Sequence, residues 1–169
     1  RYAFIGFESI SEESLAGVNK QWNRPERYGE AIRSIHDAGI NILGSFIFGL
    51  EGDDASVFGR TLEFIMEHKI DAAQFHILTP LPGTRLYDDL EAQERITDSD
   101  WAKYHTGEVV FEPKKMTARE LEDGFYRIYR ETYSIPRILR RVFRGLRGIP
   151  YRLAVNWGQR KRALRMPKP

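Results

Sequence analysis

The sequence contains no cysteine in 169 residues. Disulfide bonds, and any metal or cluster held by cysteine thiolates of these residues, are therefore excluded. No apolar run is long enough to cross a membrane. Neither a G-x-G-x-x-G fingerprint nor a Walker loop occurs, which removes the usual nucleotide-binding motifs. A G-x-S-x-G nucleophile elbow is also absent, so a hydrolase has little support.

Acidic residues are missing from the last part of the chain. Residues 134–169 contain eleven Lys or Arg and no Asp or Glu, whereas the preceding residues carry the other 15 basic and all 24 acidic residues. We favour a tail that packs its apolar stripe on the domain and pairs its arginines with the acidic surface. A contact with an anionic membrane surface is a weaker alternative. Nucleic acid is not expected, because Trp157 is the only aromatic residue in the last, most basic stretch (152–169) and no known nucleic-acid-binding motif appears.

Hydrophobic patterns divide the first hundred residues into alternating strands and helices. Apolar segments predict strands at 2–7, 40–48 and 71–78, and the segment 40–48 is apolar enough to be buried on both faces. Helical spacing predicts a helix after each strand, one of them beginning at about Asp54. Because strands and helices alternate, the strands should be parallel. The sequence predicts an α/β fold with three parallel βα units.

Other local signals are weaker. Val109–Phe111 is expected to form a short strand or an extended strap. Ser9 with Glu12, and Thr117 with Glu120, have the spacing of capping boxes at helix starts. We divide the chain into the βα units (1–97), a strap and capping helix (98–133) and a basic helical extension (134–169).

A glycine turn with three carboxylates follows the second strand. Gly49 and Gly52 allow a tight turn, and Glu51, Asp53 and Asp54 lie in it. Ligands of α/β proteins bind at the carboxyl ends of the strands. Carboxylates there would repel a phosphate but suit ribose hydroxyls or a cation. The alternative is that Asp53 or Asp54 only caps its own helix.

The four histidines offer no metal motif, because no two of them stand four residues apart. His36 and His68 lie near helix ends, where surface or capping roles are expected. His76 lies in the third strand, either as a satisfied core residue or facing the ligand side.

Several short segments together resemble the carboxyl-terminal half of a radical S-adenosylmethionine (SAM) enzyme. They are 4–9 (FIGFES), 19–20 (NK), 38–40 (AGI), 46–54 (FIFGLEGDD), 78–84 (LTPLPGT) and 86–87 (LY). Trp101 with Tyr104, and segments 110–113 and 116–117, fit the subgroup that carries an amino-terminal cobalamin-binding domain. The resemblance covers nearly all of residues 1–135 and depends on the order and spacing of these segments.

The resemblance implies half of a partial (β/α)₆ barrel and assigns roles to its carboxyl edge. Glu8 would face the bound SAM, and Lys20 would lie near the SAM carboxylate. The turn after the second strand would lie near the ribose and adenine, and the end of the third strand against the adenine. The cofactor-binding residues so assigned are Glu8, Lys20, Gly49, Glu51, Gly52, Asp53, Leu78, Thr79 and Pro80.

One feature of that family is missing. Its 4Fe-4S cluster is held by three cysteines in a C-x₃-C-x₂-C loop, and this chain has none. The resemblance therefore implies a longer parent that uses SAM, a 4Fe-4S cluster and cobalamin, with the cluster ligands outside these residues. The missing amino-terminal half of the barrel and a small-molecule substrate would be its partners. We expect a fragment rather than a free-standing chain that lost this chemistry.

Three functions stay open on the sequence alone. The first is the carboxyl-terminal half of a cytoplasmic radical SAM enzyme, inactive without its other half. The second is a non-catalytic module that binds a nucleoside or assembles through its sheet edge, and the third is a contact made by the basic tail. An unpaired parallel edge also predicts self-association.

Overall fold

A three-stranded parallel sheet forms the centre of the computed structural model, which describes residues 1–17, 20, 22–143, 145 and 148–167. The strands are β1 (Tyr2–Glu8), β2 (Asn41–Phe48) and β3 (Ala72–Ile77), in this spatial order. The helices of the described residues are α1 (Glu12–Gly17), α2 (Pro25–Asp37), α3 (Val57–Glu67), α4 (Arg85–Ala92), α5 (Ala118–Thr132), α6 (Ile135–Val142) and α7 (Ile149–Arg165), with a short 3₁₀ helix at Trp101–Lys103. The predicted α/β class is confirmed, and three parallel βα units agree with half of a partial barrel.

Aromatic side chains attach the helices to one face of the sheet. Phe7, Phe46 and Phe75 project from the three strands, and the Phe7 ring lies 5.4 Å from that of Phe46. Phe64 of α3 and Tyr28 of α2 pack edge-on against the Phe7 ring. Because strand side chains alternate between faces, the strand residues next to these phenylalanines project to the opposite face. That opposite face corresponds to the interior of a barrel.

Strand β2 is the most buried part of the sheet. Six of its eight residues are buried, and only two are partly accessible. The two accessible residues, Leu43 and Ile47, share the inner face, so the predicted burial is complete on the outer face and partial on the inner one. The reason is its position between β1 and β3, because a central parallel strand has neighbours on both edges and helices on its outer face.

Several boundaries differ from the sequence expectations. Helix α3 begins at Val57 rather than at Asp54, because Asp54 accepts hydrogen bonds from the backbone and side chain of Ser56 in the preceding turn. The prediction of a capping box at Ser9 and Glu12 is wrong, since it is Ser11 whose hydroxyl accepts from the Ser14 amide at the start of α1. The box at Thr117 is confirmed.

The segment 109–111 before α5 is an extended strap, one of the two predicted alternatives, and not a strand. Phe111 of the segment 109–111 forms only an isolated antiparallel bridge with Ile96. Eight residues lie outside the described part of the chain: 18, 19, 21, 144, 146, 147, 168 and 169. Asn19 of the predicted segment 19–20 is one of them.

The outer edge of β3 is closed by side chains instead of another strand. The Tyr133 hydroxyl bonds to the backbone of Ala73, and the Tyr129 hydroxyl bonds to that of Phe75. Two residues further along β3, the Ile77 amide donates to the carbonyl of Thr106 at 2.8 Å. Helix α5 thus satisfies groups that an exposed edge would offer to a partner. At β1, in contrast, no other described strand pairs with the outer edge.

The basic extension is joined to the sheet by buried polar groups. Asn156 of α7 donates to the Asp71 carbonyl at 2.7 Å and accepts from Arg141 of α6 at 2.8 Å. Arg152 of α7 lies 3.7 Å from the Asp71 carboxylate, and both side chains are almost completely inaccessible. Burial lowers the pKa of Arg141. Two arginines that were expected to pair with the acidic surface of the domain are therefore internal.

The apolar stripe of the extension packs only in part. Ile138 and Val142 are buried, as expected, whereas Leu139 and Phe143 are exposed. Among the described residues, no helix combines the length and apolar character needed to cross a bilayer.

Replacing two helical glycines by alanine should change the free energy of unfolding in opposite directions. A Cβ atom at Gly124 of α5 would lie 2.1 Å from the buried Phe58 ring, whereas one at Gly59 of α3 would meet nothing within 4 Å. We expect Gly124→Ala to destabilise the fold by about 1–3 kcal/mol through overpacking. Gly59→Ala should stabilise it by about 0.5–1 kcal/mol. Urea denaturation of both variants checks this, and equal shifts would contradict the close approach of α5 to α3.

Candidate functional site

The carboxyl ends of the three strands bring the predicted site residues to one edge of the sheet. Glu8 ends β1, the turn at 49–53 follows β2, and segment 78–80 follows β3. Glu8 has a left-handed backbone with φ of 62° and follows a register shift in the β1–β2 ladder. Backbone strain of this kind is stored at functional sites.

Glu8 and Lys20 are brought together at this edge. The Lys20 Nζ lies 3.8 Å from the Glu8 Oε1, and the Glu8 side chain is the more buried of the two. A Cβ at Gly6 would lie 2.6 Å from the same oxygen, so the carboxylate folds back over Gly6 on the inner face. The Lys20 ammonium also lies 5.4 Å from the centre of the exposed Trp22 ring. The pair offers one cation and one anion to a ligand.

Asp53 lies inside the protein, where its oxygens are occupied. Its Oδ1 accepts from the Ser14 hydroxyl at 2.6 Å, and its Oδ2 accepts from the amides of Gly49 and Leu50, each at 3.1 Å. Burial raises the pKa of Asp53, while these donors act in the opposite direction. Asp53 does not cap α3, whose N-cap is Ser56. The geometry gives it the role of closing the turn onto α1, and ribose contact stays a prediction.

Glu51 is neutralised by two cations, Arg95 after α4 and Lys114 of the strap. Its carboxylate lies 2.7 Å from Arg95 Nη1 and 3.2 Å from Lys114 Nζ. Partial burial alone would raise the pKa of Glu51, but these two partners hold it below its usual value. Arg95 also donates to the Glu112 carbonyl at 2.8 Å. Glu51 therefore fixes the strap over the turn.

The two turn glycines are required by close contacts. Gly49 has φ of 91°, and a Cβ there would lie 2.8 Å from Leu121 of α5. At Gly52, a Cβ would lie 2.8 Å from the Ser14 hydroxyl and 2.9 Å from the Ser14 amide nitrogen of α1. Both α1 and α5 thus approach the turn more closely than a side chain would allow.

The end of β3 lies beside the end of β2. The Leu78 amide donates to the Phe48 carbonyl at 2.9 Å, and the Thr79 hydroxyl donates to the Ile77 carbonyl at 3.1 Å. Pro80 is buried, while Leu78 and Thr79 are partly accessible. Adenine contact by these three residues stays a prediction.

His76 occupies the inner face, which the sequence left open. Its Nδ1 lies 3.2 Å from the hydroxyl of Thr106, a residue whose φ is 64°. Burial lowers the pKa of His76, with a smaller contribution from Arg162. The ring is therefore oriented and biased towards its neutral form.

The other histidines have structural partners. His36 was expected at the surface, but it is largely buried with Nε2 3.2 Å from the Asp71 carboxylate. His68 packs on Phe64 with ring centres 4.6 Å apart, and His105 pairs with Glu108. Among the described residues, no group of three or more histidines and carboxylates could hold a metal ion.

Sequence reasoning missed Ser14, Arg95 and Lys114 at this edge. No local pattern marks them, because their partners lie 39, 44 and 63 residues away in the chain. The chemical signal was indirect: three carboxylates in one turn require donors or cations from elsewhere.

Comparison with known proteins gives several matches. Residues 84–166 match a family described as a domain of unknown function, DUF4070. Bacteriochlorophyllide d C-12(1)-methyltransferase of Chlorobaculum tepidum is 37% identical over 138 residues, which are 82% of this chain and 30% of that protein. Bacteriochlorophyllide d C-8(2)-methyltransferase of the same organism is 30% identical over 83% of this chain and 32% of that protein. The anaerobic magnesium-protoporphyrin IX monomethyl ester cyclase of Cereibacter sphaeroides is 29% identical over 83% of this chain and 22% of that protein.

The chain spans a third or less of the length of these relatives. DUF4070 covers α4 to α7. These matches confirm that the chain resembles the carboxyl-terminal half of radical SAM enzymes of the cobalamin-binding subgroup.

Proposed function

We propose that this chain supplies the SAM-binding side of a radical SAM enzyme that transfers methyl groups or forms rings, and that depends on cobalamin. The observation that supports it most directly is the Glu8–Lys20 pair at the carboxyl edge of the parallel sheet. SAM carries an α-carboxylate and an α-ammonium on one carbon. Lys20 would pair with the carboxylate, and Glu8 would accept from the ammonium or a hydroxyl.

The residues present do not fit an iron–sulfur cluster. The chain has no cysteine, and the histidines and carboxylates of its described part form no ligand group. The proposal therefore assigns the cluster, cobalamin and most substrate contacts to residues outside this chain. Together with a cluster, SAM supplies radical chemistry. The unpaired edge of β1 would receive the strand of the missing half barrel.

The relatives support the reaction class but leave the substrate open. Two are methyltransferases acting on bacteriochlorophyllide d, and one is a cyclase of magnesium-protoporphyrin IX monomethyl ester. We propose a methyl transfer or a cyclisation on a small molecule, with His76 and the rest of the inner face forming part of the substrate cavity.

Reconstitution and SAM titration test the proposal together. After anaerobic treatment with iron, sulfide and reductant, the intact parent should show cluster absorbance and release 5′-deoxyadenosine. These 169 residues alone should do neither, because they contain no cysteine. In the parent, Lys20→Met should weaken SAM binding by about tenfold, because a charge-assisted hydrogen bond contributes roughly 1.5–3 kcal/mol.

Lys69→Met is the matched control, since Lys69 is exposed at the other end of the sheet, between α3 and β3. Equal SAM affinity in the two variants would remove Lys20 from the site. Cluster absorbance or 5′-deoxyadenosine from the 169-residue chain alone would contradict the proposal that the cluster ligands lie outside this chain.

A further inference from the structure

The last two helices expose large apolar side chains that the domain leaves uncovered. Trp157 is 56% accessible and Phe143 is 60% accessible. The other members of this set are Ile135, Leu139, Leu153 and Leu164. Scattered apolar residues at a surface are ordinary, but an apolar set on two consecutive helices indicates an interaction site.

These side chains fall on single helical faces. Residues 153, 157 and 164 are spaced four and seven apart in α7, which places them on one side of the helix. Residues 135 and 139 of α6 have the same relation, and Phe143 continues their row directly after the helix. A neighbouring side of α7, about 100° round the helix, is buried through Arg152, Asn156 and Ala163. Helix α7 is thus held on the domain while presenting an apolar row outwards.

The charges beside the apolar rows have one sign. Residues 134–169 contain no Asp or Glu. Arg141 and Arg152 are internal and contribute nothing to the surface, but Arg140, Lys161 and Arg165 are exposed. Lys161 and Arg165 stand four and eight residues after Trp157, so they flank its face. We call the exposed side chains of α6 and α7, with Phe143, the basic apolar face.

We propose that the basic apolar face binds the surface of an anionic phospholipid membrane. Basic residues around Trp, Phe and Leu on helices that lie parallel to the bilayer are the composition of interfacial helices. An indole ring suits the headgroup region because it is apolar with one polar N–H. Binding would be at the surface, in accord with the lack of a spanning helix among the described residues.

The positive charge and apolar rows of this face favour an anionic membrane over a second copy of the chain or a nucleic acid. In a two-fold dimer the same patch faces itself, which would bring Lys161 and Arg165 towards their own copies, and segment 134–169 has no acidic residue to offset their repulsion. Nucleic acid would satisfy the charges, but aliphatic side chains such as Ile135 and Leu164 gain little from phosphates or stacked bases. An anionic bilayer matches both the charge and the apolar rows. This inference is independent of the proposed radical SAM function.

Cosedimentation of the intact protein with lipid vesicles tests the inference. Vesicles of phosphatidylcholine mixed with phosphatidylglycerol should bind it, and phosphatidylcholine alone should bind much less. Salt of about 1 M should weaken binding, because it shortens the Debye length to about 3 Å. Trp157→Ala should lower the partition constant by about tenfold or more. Lys161→Glu should lower it by roughly fivefold or more.

Each variant has a matched control in the chain. Trp101 is 55% accessible in the 3₁₀ helix, so Trp101→Ala removes an equally exposed indole from another surface. Arg33→Glu reverses an exposed charge on α2. Both controls should bind vesicles as the wild type does.

Three outcomes would overturn the inference. They are the absence of binding to anionic vesicles, equal losses in the variants and their controls, and a dimer in sedimentation velocity that Trp157→Ala dissociates. The last result would assign the basic apolar face to a second copy. Cluster reconstitution and SAM titration should be unchanged in Trp157→Ala, which keeps this test separate from that of the proposed function.

Discussion

Replacing Asp71 by Ala should lower the free energy of unfolding by about 3–5 kcal/mol, the cost of removing one partner from a buried ion pair. The Asp71 carboxylate is inaccessible to solvent and is held by groups from β2, α2 and α7. Its Oδ2 accepts from the Ile42 amide at 2.8 Å and lies 3.2 Å from His36 Nε2, while Oδ1 lies 3.7 Å from Arg152 Nη1. The substitution would leave an arginine buried without this counter-charge, and would detach α7 from the sheet.

Thermal and urea denaturation measure this loss. For a domain of this size, each kcal/mol corresponds to roughly 2–4 °C in Tm. Asp89→Ala is the matched control, because Asp89 forms an exposed ion pair with Arg85, and such pairs contribute about 0–1 kcal/mol. If both variants lost equal stability, the buried network would not hold the extension. Adding Arg152→Met to Asp71→Ala should recover part of the loss, since the buried charge of Arg152 would be removed with that of its partner.

Asp53→Ala should lower the free energy of unfolding by about 2–4 kcal/mol, because buried donors left without acceptors cost about 1–3 kcal/mol each. The amides of Gly49 and Leu50 and the Ser14 hydroxyl would all lose their acceptor. Since Ser14 belongs to α1, and Lys20 follows α1 in the chain, SAM binding in the parent should weaken as a consequence of the altered turn.

The neighbouring residue provides the control for this prediction. Asp54 is exposed and accepts only locally, from Ser56, so Asp54→Ala should cost less than about 1 kcal/mol. Melting curves and SAM titrations of both variants give the answer. If Asp53→Ala lost SAM affinity while its melting temperature stayed unchanged, Asp53 would be a ribose ligand, as the family resemblance implies, and the turn-closing role would be wrong.

The sequence predicted the edge of the sheet that carries the site better than it predicted what each side chain does there. Glu8, the 49–53 turn and segment 78–80 could be placed because parallel strands end on the same side. The expectation that Glu51 and Asp53 offer free acceptors did not foresee Arg95, Lys114 and Ser14. These partners are distant in the chain, and their pairing depends on how α1 and the strap cross the turn.

The edges of the sheet show the same division. A chain with three parallel strands predicts two unpaired edges, and self-association through such an edge stays a prediction for β1. At β3 the hydroxyls of Tyr129 and Tyr133 supply the missing hydrogen bonds. In the sequence, these tyrosines are only two aromatic residues in an amphipathic helix, because helical spacing does not reveal which strand the helix will meet.

What the sequence by itself determined is the α/β class, the parallel order of the strands and the family resemblance, since all three depend on local apolar periodicity and on the order of short segments along the chain. Tertiary structure alone decided which charges are internal. Arg141 and Arg152 stand in a wholly basic extension that the sequence favoured for the acidic surface, yet both are buried near Asp71. A charge becomes internal only where a partner and a packed surface together offset its desolvation, and both come from residues far away in the chain.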